Sequence, residues 1–95
     1  MAKYLIVTKL GTESYESPDQ FRELAKRVAA RIRNECPGVR WKDSYAVMGR
    51  FDVVDVIEAA SAADAERAAM IIRSEAHATT ETMHATPWDE FLKNL

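Results

Sequence analysis

Two short runs, Tyr4-Leu5-Ile6-Val7 and Val53-Val54-Asp55-Val56-Ile57, are apolar on both alternations of a strand apart from Asp55, while the other strand-like segments are mixed. Side chains of a strand point to opposite faces in turn, so a half-buried strand alternates. A strand covered on both faces reads instead as a near-continuous apolar run. The two runs are therefore expected at the centre of a sheet, next to each other, with both faces covered. A carboxylate in the middle of the second run is the exception that any reading must place.

The remaining segments supply the partners. Lys3 to Leu10 reads as a first strand stopped by Gly11. Ser17, Pro18 and Gln20 form a helix start, with a capping residue, a proline at the first position and a box partner three residues on. Phe21, Leu24, Ala25, Val28, Ile32 and Cys36 then recur at helical spacing until Pro37-Gly38. Val39 to Met48 partly alternates, placing Trp41, Tyr45 and Val47 on one face and Arg40, Lys42 and Ser44 on the other. Gly49-Arg50 reads as a tight turn into a third strand, Phe51 to Glu58. Ser61 caps a second helix whose stripe is Ala65, Ala68, Ala69, Ile72 and Ala76, with Met70 and Ile71 off it. Thr79 to Ala85 reads as a fourth strand, and Pro87 opens a short terminal helix anchored by Trp88, Phe91 and Leu92.

Strand, helix, strand, strand, helix, strand with right-handed crossovers gives an α+β, ferredoxin-like βαββαβ sandwich. Its antiparallel sheet has spatial order 4-1-3-2 and carries both helices on one face. That order places the two doubly apolar runs at the centre, as their composition demands. Two helices cover one face only, and a bare apolar face larger than a few hundred Å² is rare on a monomer. A second copy, sheet against sheet, is the simplest cover, giving a dimeric α/β barrel. The short terminal helix can screen only part of the face.

Composition removes several function classes. With 95 residues, 47% hydrophobic and 29% charged, the chain is expected to form one domain spanning 1–95. A net charge of −2 without a basic face argues against nucleic acid, and no apolar run approaches a bilayer span. The N-terminus lacks the pattern of a signal peptide, and the single Cys36 fits a reducing cytoplasm. Three scattered glycines make no phosphate loop, and His77, His84 and Cys36 lack zinc-site spacing, so neither cofactor nor metal is expected.

The stretches Ala2-Lys3-Tyr4-Leu5, Met48-Gly49-Arg50-Phe51-Asp52-Val53-Val54, Ala78-Thr79-Thr80-Glu81-Thr82 and Thr86-Pro87 occur in the order seen in the GYD-domain family, which this chain resembles. The name-giving Gly-Tyr-Asp is stretched here to Gly49-Arg50-Phe51-Asp52. The same turn resembles one in the effector-binding domain of leucine-responsive regulators. The family resemblance implies a dimeric α/β barrel and no particular activity. At the position of Asp55 the family usually carries an apolar residue, so the resemblance assigns that aspartate no role.

Gly49, Phe51 and Asp52 read as a structural turn motif, with the aspartate accepting backbone N–H bonds. Asp55 shares parity with Val53 and Ile57. If Tyr45 and Val47 face the helices together with Val54 and Val56, Asp55 lies near Lys42 or Ser44 on the dimer-facing side. There it is either a solvated or salt-bridged aspartate or a polar anchor in a ligand cavity. His84 is an edge-strand histidine or a general base sharing that cavity. Beside a purely structural or assembly role, to which only Met70, Ile71 and the terminal helix point, two function classes remain open. One is a homo-oligomeric module binding a small molecule through Asp55, His84, Lys42 and Ser44, or binding a protein. The other is a small cofactor-independent enzyme, monooxygenase- or isomerase-like.

Overall fold

The computed structural model describes residues 1–95. The elements run β1 (Ala2–Lys9), α1 (Pro18–Glu35), β2 (Val39–Ala46), β3 (Val53–Ala59), α2 (Ala62–Ala76), β4 (Thr79–Ala85) and α3 (Trp88–Lys93). The sheet is antiparallel with order β2-β3-β1-β4, the ferredoxin-like arrangement read from its other edge. β1 and β3 are the central pair, in register from Ala2 opposite Ala59 to Thr8 opposite Val53.

Both long helices start as their sequences dictate. Ser17 Oγ accepts the Gln20 N–H, and Gln20 Oε1 accepts the Glu16 N–H at 2.7 Å, one residue short of a standard capping box. Ser61 Oγ accepts the Asp64 N–H in the same way. Gly38, just before β2, lies against the first turn of α2. A Cβ there would meet the Asp64 carboxylate at 2.5 Å, so any larger residue would displace that side chain from the helix start.

The inner face of the sheet carries Ile6 from β1 and Ile57 and Ala59 from β3, packed on Ala65, Ala68, Ala69 and Ile72 of α2. Alanines on the helix let its backbone come close to the strands. Ile71, off the stripe by simple spacing, is also buried there, while Met70 stays exposed. α1 packs chiefly on α2, and α2 in turn packs on the sheet. Outside that seam, Arg27 and Arg31 both bond the carboxylate of Glu75, at 2.8 and 3.0 Å, and Arg31 also grips Glu35 at 2.7 and 3.0 Å. This ladder ties α1 to its neighbour helix.

Two expectations about the β2–β3 hairpin are corrected. The connection is an irregular loop through Val47–Asp52 rather than a tight turn at Gly49-Arg50, although Gly49 does take a φ of +140°. More consequentially, the faces are inverted. Tyr45 does pair with Val54, but both lie on the face away from the helices, whereas Val53, Asp55, Ile57 and Ala59 face the helices. A β-bulge between Trp41 and Asp43 adds the second change. The extra residue reverses the alternation, so Trp41 and Ser44 share the inner face and Lys42 and Tyr45 the outer one.

Asp52 sits where β1 ends and β3 begins. Its N–H donates to Thr8 O at 2.8 Å, its carboxylate accepts the Leu10 N–H at 2.8 Å, and its carbonyl accepts the Val47 N–H at 2.9 Å. Lys9 approaches the same carboxylate at 3.6 Å. One side chain thus ties the end of the central strand to the hairpin loop. Asp52→Ala leaves the Leu10 N–H without its charged acceptor, a loss of about 1–3 kcal/mol. For a domain of this size each kcal/mol shifts Tm by about 4–8 °C. Thermal unfolding followed by circular dichroism is expected to show a fall of at least about 4 °C.

Candidate functional site

Because α1 rests on α2, the space between α1 and the β2–β3 side of the sheet is not filled. A cavity of about 590 Å³ occupies it, within the size range of small-molecule pockets. Phe21, Leu24, Val28 and Ile32 of α1 form one wall, and Val39, Trp41 and Val53 of the sheet form the other. The lining is mostly apolar, and its few polar groups are Thr8, Arg33, Ser44 and Asp55.

Asp55 lies on the sheet-side wall with only 5% of its surface exposed. Ser44, opposite it on β2, donates its hydroxyl proton to Asp55 Oδ1 at 2.6 Å, and the Trp41 indole N–H donates to Ser44 Oγ at 2.7 Å. The bulge at Lys42 makes this relay, since it alone turns residues three apart in β2 to the same face. No lysine, arginine or histidine pairs with Asp55. Burial therefore pushes its carboxyl upward from the usual carboxylate value, opposed by the Ser44 hydroxyl bonded to it and by the nearby Trp41 indole N–H. Thr8, 2% exposed and also on the wall, has a hydroxyl with no partner in the chain. Rotation about its χ1 exchanges hydroxyl and methyl at the cavity surface. Burial likewise pushes up the Cys36 thiol, which keeps that group neutral.

The structure divides the four residues singled out from the sequence. Asp55 and Ser44 meet in the cavity. Lys42 is on the opposite face of the sheet, 3.8 Å from Glu58. His84 shares the inner parity but lies on edge strand β4, its ring edge-on to Tyr4 at 5.5 Å, outside the cavity. Asp55 and His84 therefore do not form an acid–base pair. Trp41, Thr8 and Arg33 joined the site unannounced. The usable signal was Thr8, a hydroxyl two residues beyond Ile6 on one face of an apolar strand.

The outer face of the sheet presents Leu5, Val54 and Val56, each half-buried, around a buried Val7, flanked by Met83 and by Tyr45, which is 56% exposed. Neither long helix covers it. α3 buries none of its residues, and Trp88, Phe91 and Leu92 are all exposed. No helix is long and apolar enough to cross a membrane.

The family model for the GYD domain matches residues 4–95. The chain belongs to the GYD domain family. A relative from Thermus thermophilus, the "Glutamine synthetase and cystathionine beta-lyase binding protein", is 30% identical over 95 residues, covering 100% of this chain and 99% of that one. Among solved structures, the leucine response regulatory protein of Mycobacterium tuberculosis superposes with a TM-score of 0.60 at 19% identity. That match covers 90% of this chain but only 51% of the regulator, so the GYD chain spans about half its length. The hypothetical protein PHS023 of Pyrococcus horikoshii gives a TM-score of 0.57 at 22% identity, covering 92% of each chain. At these identities the two structures establish the fold.

The raised Asp55 carboxyl has a signed consequence. Its folded form holds a proton more tightly than the unfolded chain does, so its contribution to stability is full below about pH 4 and is lost as pH rises through the folded titration. Asp55→Asn keeps an acceptor for Ser44 and removes that penalty. Urea unfolding across pH is expected to find Asp55→Asn more stable than wild type at pH 7 to 8, with the difference closing towards about pH 4.

Proposed function

We propose that this protein is a homo-oligomeric, protein-binding module whose outer sheet face closes against a second copy. The observation that carries the reading is that face: half-buried Leu5, Val54 and Val56, with exposed Tyr45 and Met83 beside them, form an apolar centre that neither long helix covers. Contiguous apolar surface of this kind marks association. Around it charges of both signs are interleaved, with Lys3 and Arg40 opposite Glu58, and Lys42, Asp43 and Glu81 nearby. A surface with both signs at its rim can meet its own twofold copy without like charges facing throughout.

Heterologous binding is supported by the Thermus relative, whose name states that it binds glutamine synthetase and cystathionine β-lyase. By kinship this chain binds metabolic enzymes of the same kind. The exposed ridge of Trp88, Phe91 and Leu92 on α3 is the docking surface left after the sheet faces are assigned. Aromatic side chains of this type commonly anchor interfaces.

Two measurements test the two halves. Native mass spectrometry is expected to find a dimer for wild type and a monomer for a folded Val56→Lys variant. An unpaired charge buried there costs about 3–5 kcal/mol, or more than a hundredfold in affinity. A wild-type monomer at micromolar concentration overturns the sheet-face reading. In biolayer interferometry against glutamine synthetase and cystathionine β-lyase from the chain's own source, at least one is expected to bind. Trp88→Ser with Phe91→Ser should weaken that binding at least tenfold, about 1.4 kcal/mol. Failure of both enzymes to bind overturns the partner assignment and leaves the dimer standing.

A further inference from the structure

We propose that the cavity between α1 and the sheet is a binding site for a small apolar amine, whose ammonium group pairs with the carboxylate of Asp55. Three features of the cavity converge on this class of ligand. Its walls are mostly aliphatic and aromatic, so the body of the ligand is apolar. Asp55 is 95% buried by its 5% exposure, takes a single hydroxyl donor at Oδ1 and faces no cation of the chain. A buried carboxylate without a counter-ion is costly, and a cation delivered by a ligand offsets that cost. Thr8 adds an unpartnered buried hydroxyl on the same wall, two residue pairs away along the central strands, which rotation about χ1 turns to accept a second ammonium proton.

The other ionisable groups on the lining do not compete. Cys36 is kept neutral by burial, and Arg33 is exposed, which puts its guanidinium in water at the end of α1. Arg33 instead sets the alternative that the experiment must exclude, an apolar acid held at the rim. The terminal helix is a poor occupant, because α3 carries Asp89 and Glu90 beside its apolar residues and would bring carboxylates towards Asp55. The site is separate from the outer sheet face and from α3, so it does not depend on the protein-binding reading.

Three probes with one tail and different heads decide the matter: decylamine, decanol and decanoate, titrated into the full chain by isothermal calorimetry at pH 7.5. Decylamine is expected to bind one per chain, at least tenfold tighter than decanol, with decanoate weakest. Asp55→Asn should keep decanol binding and abolish the preference for the amine. Thr8→Val, which preserves shape and removes the hydroxyl, should weaken decylamine about threefold to tenfold. Val28→Trp should fill the cavity and remove binding of all three, with Ala25→Phe as a second filling variant should the first fail to fold. Equal affinity for the three heads, tightest binding of decanoate, or an amine preference that survives Asp55→Asn each overturns the proposal. Absence of decylamine binding by the folded wild type does the same.

Discussion

The contact between the alanine face of α2 and the central strands sets the rest of the molecule. Ala65, Ala68 and Ala69 have no reach, so the helix comes down onto Ile6, Ile57 and Ala59 until these are fully or almost fully buried. Each isoleucine so buried contributes about 1.5–3 kcal/mol. That contact chooses which side of two doubly apolar strands becomes the interior. α1 then finds its place on α2, held by Arg27 and Arg31 around Glu75, and the larger side chains of its own apolar face look across a gap. The cavity and the uncovered outer face are two consequences of one packing choice.

Asp55 gains its meaning from that choice. On the outer face, where the sequence reading placed it, it would have lain near Lys42 and become one more ion in a mixed rim. On the inner face it meets Ser44, Trp41 and aliphatic carbon, and its carboxyl is pushed up by burial. A single bulged residue in β2 completes the environment by turning Ser44 and Trp41 inward and Lys42 outward. The chain thus keeps its cationic side chains away from the one deeply buried carboxylate, which is an unusual arrangement for a group that serves packing alone.

Much of the architecture was legible because local signals agreed. Ser17 and Ser61 cap the helices they were expected to cap, and Thr79 to Ala85 forms β4 with the same bounds. The strand order followed from the succession of elements with right-handed crossovers, and the double apolarity of β1 and β3 agreed with it. The site was legible only in fragments. Asp55 and Ser44 do meet, but Lys42 and His84 lie elsewhere, and Trp41 and Thr8 were read as core or passed over. Alternation across β2 was counted as unbroken, and a bulge has no composition signature strong enough to show in Arg40-Trp41-Lys42-Asp43. The face error has a different origin. When both parities of a strand are apolar, periodicity carries no sign, and no count of residues can say which side the helices take.

The sequence by itself determined the elements and their order in the sheet, because these depend on local propensity and on apolar runs that favour the sheet's centre. Only the tertiary structure decided which face is inside, where α1 stands and which polar groups share the cavity. Those outcomes depend on how closely alanine lets a helix approach and on one residue of register, and both are settled between segments far apart in the chain.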